Sequence, residues 1–266
     1  MPKRLIPIIV AIISLTTFVS SFASCSEHKK NGGTLITDSI GFEKKDKFVE
    51  CRIIADMPVD DGDVLCNIVR EFISDELGGS YTGGYADMDS LLSFYGRTKY
   101  DEMYDAAKEA GSPYSVPYSY DASIRKVYET GKLVTYQTVI SEYWGGAHPL
   151  TVSTAVTFRK SDGRRFGKEI FNASFNEKSS DILSDGLKKY FEVKTDKELK
   201  SCLLGMENFI IIPMPQNPPY FTKDGIVLSY GQYEIAPYAA GMPAVLIPYD
   251  EAKSLLKVSA REMIER

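Results

Sequence analysis

From Lys47 onward the apolar positions switch between a period of two and a period near four, and the switches divide the chain into elements. "KFVECRIIADMP", Lys47 to Pro58, is dense in β-formers and predicts a strand. Asp60, Asp61 and Asp63 then stand as candidate caps. Behind them Val64, Ile68 and Phe72, with Leu65, Val69 and Ile73 beside them, recur every four positions, which is one buried helical face. Gly78 and Gly79 end that helix. The loop "GGSYTGGY" leads to a second helical stretch carrying Leu91, Leu92, Phe94, Tyr95, Met103, Tyr104 and Ala107. "GSPYSVPYSYD", Gly111 to Asp121, reads as an aromatic, proline-rich connector.

The pattern then returns to a period of two. "SIRKVYETG" ends at a Gly131-Lys132 turn, and "LVTYQTVISEYW" is a long β-rich run. "LTVSTAVTFRKSDG" places Val152, Thr154, Val156 and Phe158 on one face and Thr151, Ser153, Thr157 and Arg159 on the other. This predicts an antiparallel meander with one solvated face. Gly145-Gly146 in "YWGGAHPL" supply the positive φ of a hairpin connection, Pro149 biases His148 toward an extended backbone, and Asp162-Gly163 marks the turn after the next strand.

A helix follows near Ser180 to Val193, burying Ile182, Leu183, Leu187, Tyr190 and Phe191. Then come "NFIIIPMP", a turn at Pro218-Pro219, and the strand "GIVLSYG" opening at Gly225. "YEIAPYAAG", whose path Pro237 and Gly241 define with Pro243 beyond, precedes the strand "PAVLIP" and a last helix from about Asp250. Strands and helices mix without βαβ alternation. The class is α+β: an antiparallel sheet meander with helices packed on one side, in two related strand–helix modules at 46–120 and 121–266.

The N-terminus changes the picture from a bare domain to an exported one. Pro2-Lys3-Arg4 precedes the apolar run Leu5 to Val19, which is too short and too interrupted for a membrane span and reads as a secretory signal over residues 1–24. "SFASC" ends in small residues before Cys25, as in a lipobox, so Cys25 is the expected lipidation site, with Phe22 a departure from the usual leucine. Ordinary cleavage nearby is the plainer alternative. Residues 25–45, which hold His28, read as a polar tether. The expected place is the bacterial cell envelope, anchored to the membrane by lipid.

The formal charge of −5 becomes −7 once Lys3 and Arg4 are removed. That excludes nucleic acid as a natural partner and favours cationic ones. Cys51, Cys66 and Cys202 leave one disulfide open in any of three pairings, with buried thiols the alternative. Neither a cofactor nor a metal site is expected, there being no CxxC and no paired Cys/His spacing.

Catalytic chemistry finds little footing. His148 with Ser141 or Ser153 lacks a GxSxG elbow. Glu142, Asp121 and Glu234 offer carboxylates for a glycosidase pair, but 36 acidic residues make such pairs commonplace. "GGSYTGGY" follows a helix where phosphate cradles precede one, and "DDGD" lacks the calcium-loop spacing. Tyr230, Tyr233, Tyr238 and Tyr249 beside prolines suit a packed turn, or a stacking surface for sugars.

"YWGGAHPLTVSTAVTFRKSDGRRF" together with "FTKDGIVLSYGQYEIAPYAAGMPAVLIPYDEAKSLL" resembles the RsiV-like and PdaC-like paired extracytoplasmic domains of bacterial envelope proteins. The first type senses lysozyme as part of an anti-sigma factor; the second precedes the catalytic domain of a peptidoglycan deacetylase. The resemblance is strong over roughly Lys132 to Leu256 and weaker over Lys47 to Tyr120. Only four residues precede the apolar run, too few to hold a sigma factor, and the deacetylase's metal-binding domain is not expected here. What the resemblance implies is recognition without catalysis, of lysozyme or of a cell-wall glycan or protein. An uncharacterised hydrolase centred on His148, or a structural lipoprotein, are the alternatives. The residues best placed for a partner are Tyr143, Trp144, His148, Tyr233 and Tyr238, with Gly145, Gly146, Gly163, Gly225 and Gly241 shaping the turns.

Overall fold

The computed structural model describes residues 33–111, 116–205 and 212–265. The leader, Cys25, His28, the start of the tether, part of the Gly111–Asp121 connector and the first half of "NFIIIPMP" lie outside them. The first strands are β1, Thr37–Lys45, and β2, Val49–Pro58, an antiparallel hairpin running from Thr37 opposite Pro58 to Lys45 opposite Glu50. The polar tether expected up to residue 45 is therefore corrected from Thr37 onward. β1 is polar because it is an edge strand with mostly exposed side chains. Its ladder and the packing of Ile40 and Phe42 hold it. Phe42 lies so close over Gly96 that a Cβ there would overlap its ring.

Two helices follow, α1 at Val64–Glu76 and α2 at Met88–Glu109. The Asp63 carboxylate accepts from the N–H groups of Leu65 and Cys66, and Asp87 accepts from Ser90. These helices carry the chain back across the sheet, so β3, Tyr118–Glu129, lies parallel to β2. This parallel pairing lies outside the expected meander, and it arises because a crossover of this length brings a strand back in the same direction. β4, Leu133–Tyr143, and β5, Leu150–Arg159, complete a five-stranded sheet in the order β1-β2-β3-β4-β5. The expected module boundary at residues 120 and 121 falls inside β3, within this one sheet. Its helix-covered face buries Ile53, Phe72, Leu92, Met103, Ile124, Tyr136 and Phe158.

A second core forms behind β4 and β5. α3, Ala173–Tyr190, is capped by the Asn172 side chain, which accepts from Phe175. It starts at that cap, well before Ser180, in polar first turns that carry little periodicity. α4, Asp196–Cys202, opens with a reciprocal Thr195–Glu198 capping box. β6, Tyr220–Phe221, β7, Gly225–Ser229, and β8, Ala244–Pro248, make a three-stranded antiparallel sheet. The last helix is two short ones, α5 at Tyr249–Leu255 and α6 at Val258–Ile264. Leu183, Leu187, Phe221, Ile226, Leu228 and Ile247 fill this core. Mixed α+β architecture is the outcome.

The two sheets meet through a closed ring of hydrogen bonds. Thr135 donates to the Phe221 carbonyl at 2.8 Å, the Phe221 N–H donates to Thr157 Oγ1 at 2.9 Å, and the two threonine hydroxyls are 2.8 Å apart. With the Thr135 proton spent on Phe221, the Thr157 hydroxyl donates to Thr135. Both threonines are fully buried. The solvated face expected for Thr157 is thus covered at this end of the strand, by a second sheet that alternation alone does not announce.

At the same end, Lys160, almost fully buried, meets Glu129 at 2.6 Å, and Lys126 holds the other carboxylate oxygen at 2.9 Å. Glu129 also accepts from the Leu35 N–H at 2.6 Å, and Lys160 donates to the Gly33 carbonyl. Burial works to raise the Glu129 carboxyl, but the hydrogen bonds from Lys126, Lys160 and Leu35 outweigh it and hold it below its ordinary value.

Cys51, Cys66 and Cys202 are free thiols. Cys51 is buried and donates to the Gly96 carbonyl at 3.4 Å; that burial pushes its thiol up to about 11.

Candidate functional site

At the other end of β4 and β5 the polar groups are not spent in this way. The connection after Tyr143 turns through Gly145 and Gly146, with φ of 88° and 105°, values that an L side chain rarely adopts. The Tyr143 hydroxyl closes the turn by donating to the Gly146 carbonyl at 3.0 Å. His148, exposed, stacks on Tyr238 from the distant 3-10 turn at Tyr238–Ala240, with ring centroids 3.7 Å apart and planes 22° from parallel. Tyr233 sits beside both. Its ring is 5.9 Å from that of Tyr238, and its hydroxyl is 3.5 Å from His148 Nε2. His148 Nδ1 lies 3.1 Å from the Pro149 carbonyl, the contact that fixes the ring's orientation.

Tyr233 is held in the left-handed region, at φ 64°, and is 48% exposed. A bulky residue there stores strain of order 1 kcal/mol or more. The segment that carries it is tied from below: Tyr230 donates to the Pro213 carbonyl and Tyr190 to the Ala240 carbonyl, each at 2.8 Å. The Glu234 carboxylate accepts from the backbone of Gly231 at 2.6 Å and of Gln216 at 2.8 Å. Burial, with Glu234 nearby, pushes the Tyr230 phenol well above its usual value, so it remains a donor. Gly241, at φ 71°, lets the chain leave the Tyr238 turn.

Beside this cluster opens a cavity of about 480 Å³, lined by Leu150, Val152 and Ser153 on one wall and Asn217, Gln232 and Tyr233 on the other. Gln232 is fixed through its oxygen, which accepts from the Thr151 N–H at 3.1 Å. Asn217 is fixed through its nitrogen, which donates to the Ser153 carbonyl at 3.2 Å. Leu150 and Val152 stand exposed on the rim.

The structure thus brings together His148, Tyr233 and Tyr238, and leaves Trp144 and Tyr143 with other partners. Trp144 donates from Nε1 to Glu142 at 3.0 Å and leans on Tyr118, with Lys99 5.6 Å over its ring. Of the carboxylates considered for a glycosidase pair, Glu142 binds Trp144 and lies 3.5 Å from Lys99, Asp121 faces Arg52 at 3.4 Å, and Glu234 braces its own loop. Ser141 accepts from Thr151, and Ser153 from Gln137. Among the described residues neither serine, nor any carboxylate, is a hydrogen-bond partner of His148. Glu76, raised by burial, takes Thr154 at 3.4 Å on the helix-covered face instead. Also among the described residues, no group of three or more His, Cys, Asp or Glu side chains is placed to hold a metal ion, and no helix is long and apolar enough to cross a membrane. Sequence reasoning missed Gln137, Asn217 and Gln232; only Asn217 has a local signal, the "PQNPPY" turn.

The fold has solved counterparts. It superposes on the crystal structure of a member of the DUF3298 family from Bacteroides fragilis with a TM-score of 0.71 at 23% identity, over 89% of this chain and 100% of that one. A DUF3298 family protein from Pseudomonas aeruginosa PAO1 matches with a TM-score of 0.59 at 15% identity, over 86% and 97% of the two chains. No curated protein matches the chain by sequence. Residues 168–250, which include β6 to β8 and the Tyr233–Tyr238 segment, match the family model described as "Protein of unknown function (DUF3298)".

Proposed function

We propose that this chain is a lipid-anchored protein of the bacterial cell envelope that recognises a cell-wall glycan without transforming it. The observation that carries the reading is the exposed His148–Tyr238–Tyr233 cluster, assembled from two distant segments and held under backbone strain beside an open cavity. A flat aromatic face with oriented amides next to it is the chemistry that takes a sugar ring: the apolar face stacks while the hydroxyls find fixed partners. Strain at Tyr233 supports the reading, because packing alone gains nothing from a half-exposed ring at positive φ.

Co-sedimentation of the purified protein with insoluble peptidoglycan tests it, with a lysozyme column run in parallel. Retention on peptidoglycan that Tyr233→Ala abolishes is the expected result. Retention on lysozyme alone, at low salt, assigns the surface to the cationic partner that the family resemblance implies. Release of soluble fragments from the peptidoglycan revives the hydrolase reading, and failure to bind either ligand leaves the structural-lipoprotein one. Mass spectrometry of the mature N-terminus is expected to find a diacylglyceryl group on Cys25; an unmodified terminus overturns the anchor.

A further inference from the structure

The cavity beside Tyr233 does not end at Asn217. A second one, about 510 Å³, opens between the back of the five-stranded sheet and the outer face of the three-stranded sheet, lined by Val127, Gln137, Tyr220, Val227, Ala244 and Leu246. The two adjoin. Gln137 in the second donates to the Ser153 hydroxyl in the first at 3.4 Å. Asn217 bridges the Ser153 carbonyl and the Ser229 hydroxyl, and Ser229 is paired with Ala244. From Val227 to Tyr230, still paired to Pro243, the backbone covers ~10 Å.

We infer that the His148–Tyr233–Tyr238 platform is the end of an extended groove that binds a neutral, linear oligosaccharide of several sugars along β7, rather than a single sugar or a chain terminus. The inference rests on the glycan reading above and deepens it. Three amides at the junction are each fixed by one half and unspent at the other. Asn217 is held by nitrogen on a backbone carbonyl, leaving Oδ1 to accept; Gln232 is held by oxygen, leaving its NH2 to donate; Gln137 meets the Ser153 hydroxyl with one half and keeps the other. Among the described residues nothing else takes those groups. Oriented donors and acceptors suit hydroxyl and acetamido groups, and the charged residues of the second cavity, Lys223 and Asp224, are of opposite sign and leave no net charge. The carboxylate at the platform end, Glu234, already spends both oxygens on backbone N–H groups. At the far end Val227 and the 46% exposed Leu246 offer an apolar wall for the face of a second ring.

Titration calorimetry of the purified protein with chito-oligosaccharides of one to six sugars reads this directly. Affinity is expected to tighten by about tenfold or more in total between the single sugar and the tetramer, a gain of about 1.4 kcal/mol or more, and then level off. Leu246→Asp, at an exposed position that folding does not need, is expected to erase the gain with length while leaving the shortest binder unchanged; Ala244→Arg, on the same wall, should do likewise. Tyr233→Ala is expected to weaken every length. Affinity that does not depend on length, or a length gain that survives both wall variants, overturns the groove and leaves the platform standing. Loss of all sugar binding in the unaltered protein overturns both.

Discussion

The two ends of the β4–β5 pair are built from the same kinds of residue and treat them differently. Near Leu133 and Arg159, two buried threonine hydroxyls and a partly buried glutamate with two lysines are matched: Thr135 and Thr157 close a ring with the Phe221 backbone, and Glu129 takes Lys160, Lys126 and Leu35. Near Tyr143 and Leu150, hydroxyls and amides are held by one side only, an aromatic pair stacks in the open, and a tyrosine is kept in a costly conformation. Buried polar groups must find partners or lose about 1–3 kcal/mol each. These groups at the closed end obey that rule, and the open end, being wet, leaves hydrogen-bonding groups available at little cost. Binding capacity is therefore to be sought where matching stops, not where polar residues are most numerous.

The contrast can be broken hardest at Gly225, on the closed side. A Cβ there would overlap the Ile247 carbonyl and crowd Pro248. Gly225→Ala is expected to cost more than about 3 kcal/mol in urea unfolding, above ordinary overpacking, because backbone rather than a rotamer must move. Next comes Glu129→Gln, which leaves the Lys160 ammonium its carbonyl partners but no counter-charge and should cost about 2 kcal/mol, less than for a deeply buried pair. The same site sets a pH dependence. Glu129 titrates lower folded than unfolded, so its contribution is complete above the usual carboxylate value and fades as pH falls through the folded one. Unfolding followed from pH 7 to pH 3 should show that acid loss, and Glu129→Gln should flatten it.

Smaller again is Thr157→Val, which leaves the Phe221 N–H without an acceptor in a dry site and is expected to cost about 1–2 kcal/mol. The open end should respond in the opposite sense. Tyr233→Gly relaxes the positive φ while adding glycine's chain entropy, so stability is expected to stay within about 1 kcal/mol of the starting value. Glycan retention is nonetheless expected to be lost. A variant at this end that lost stability as Thr157→Val does would erase the distinction between the two ends.

Much of the frame was legible in the residues. The four-residue recurrence from Val64 marked α1, the alternation from Val152 marked β5, and Gly145-Gly146 marked the hairpin, because each is a local pattern with a local cause. What was not legible depends on residues far apart. Thr157 looks solvated until Phe221 arrives from 64 positions away. β1 looks like a linker because an edge strand needs few apolar side chains. The parallel β2–β3 pairing hides behind two helices. At the candidate site His148, Tyr233 and Tyr238 could each be named from sequence, but their meeting across 85 positions could not, and the amides around them carry no periodic signal.

The Lys160–Glu129 knot also fixes where the folded chain begins. It grips Gly33 and Leu35, the first residues described, at the far end of β4 from the aromatic cluster. β4 from Leu133 to Tyr143 is ~34 Å long. In the anchored form proposed above, the chain enters at one pole while His148 and Tyr233 crown the other. In that proposed form, the number of residues between Cys25 and Gly33 sets how far from the lipid surface the aromatic cluster can reach.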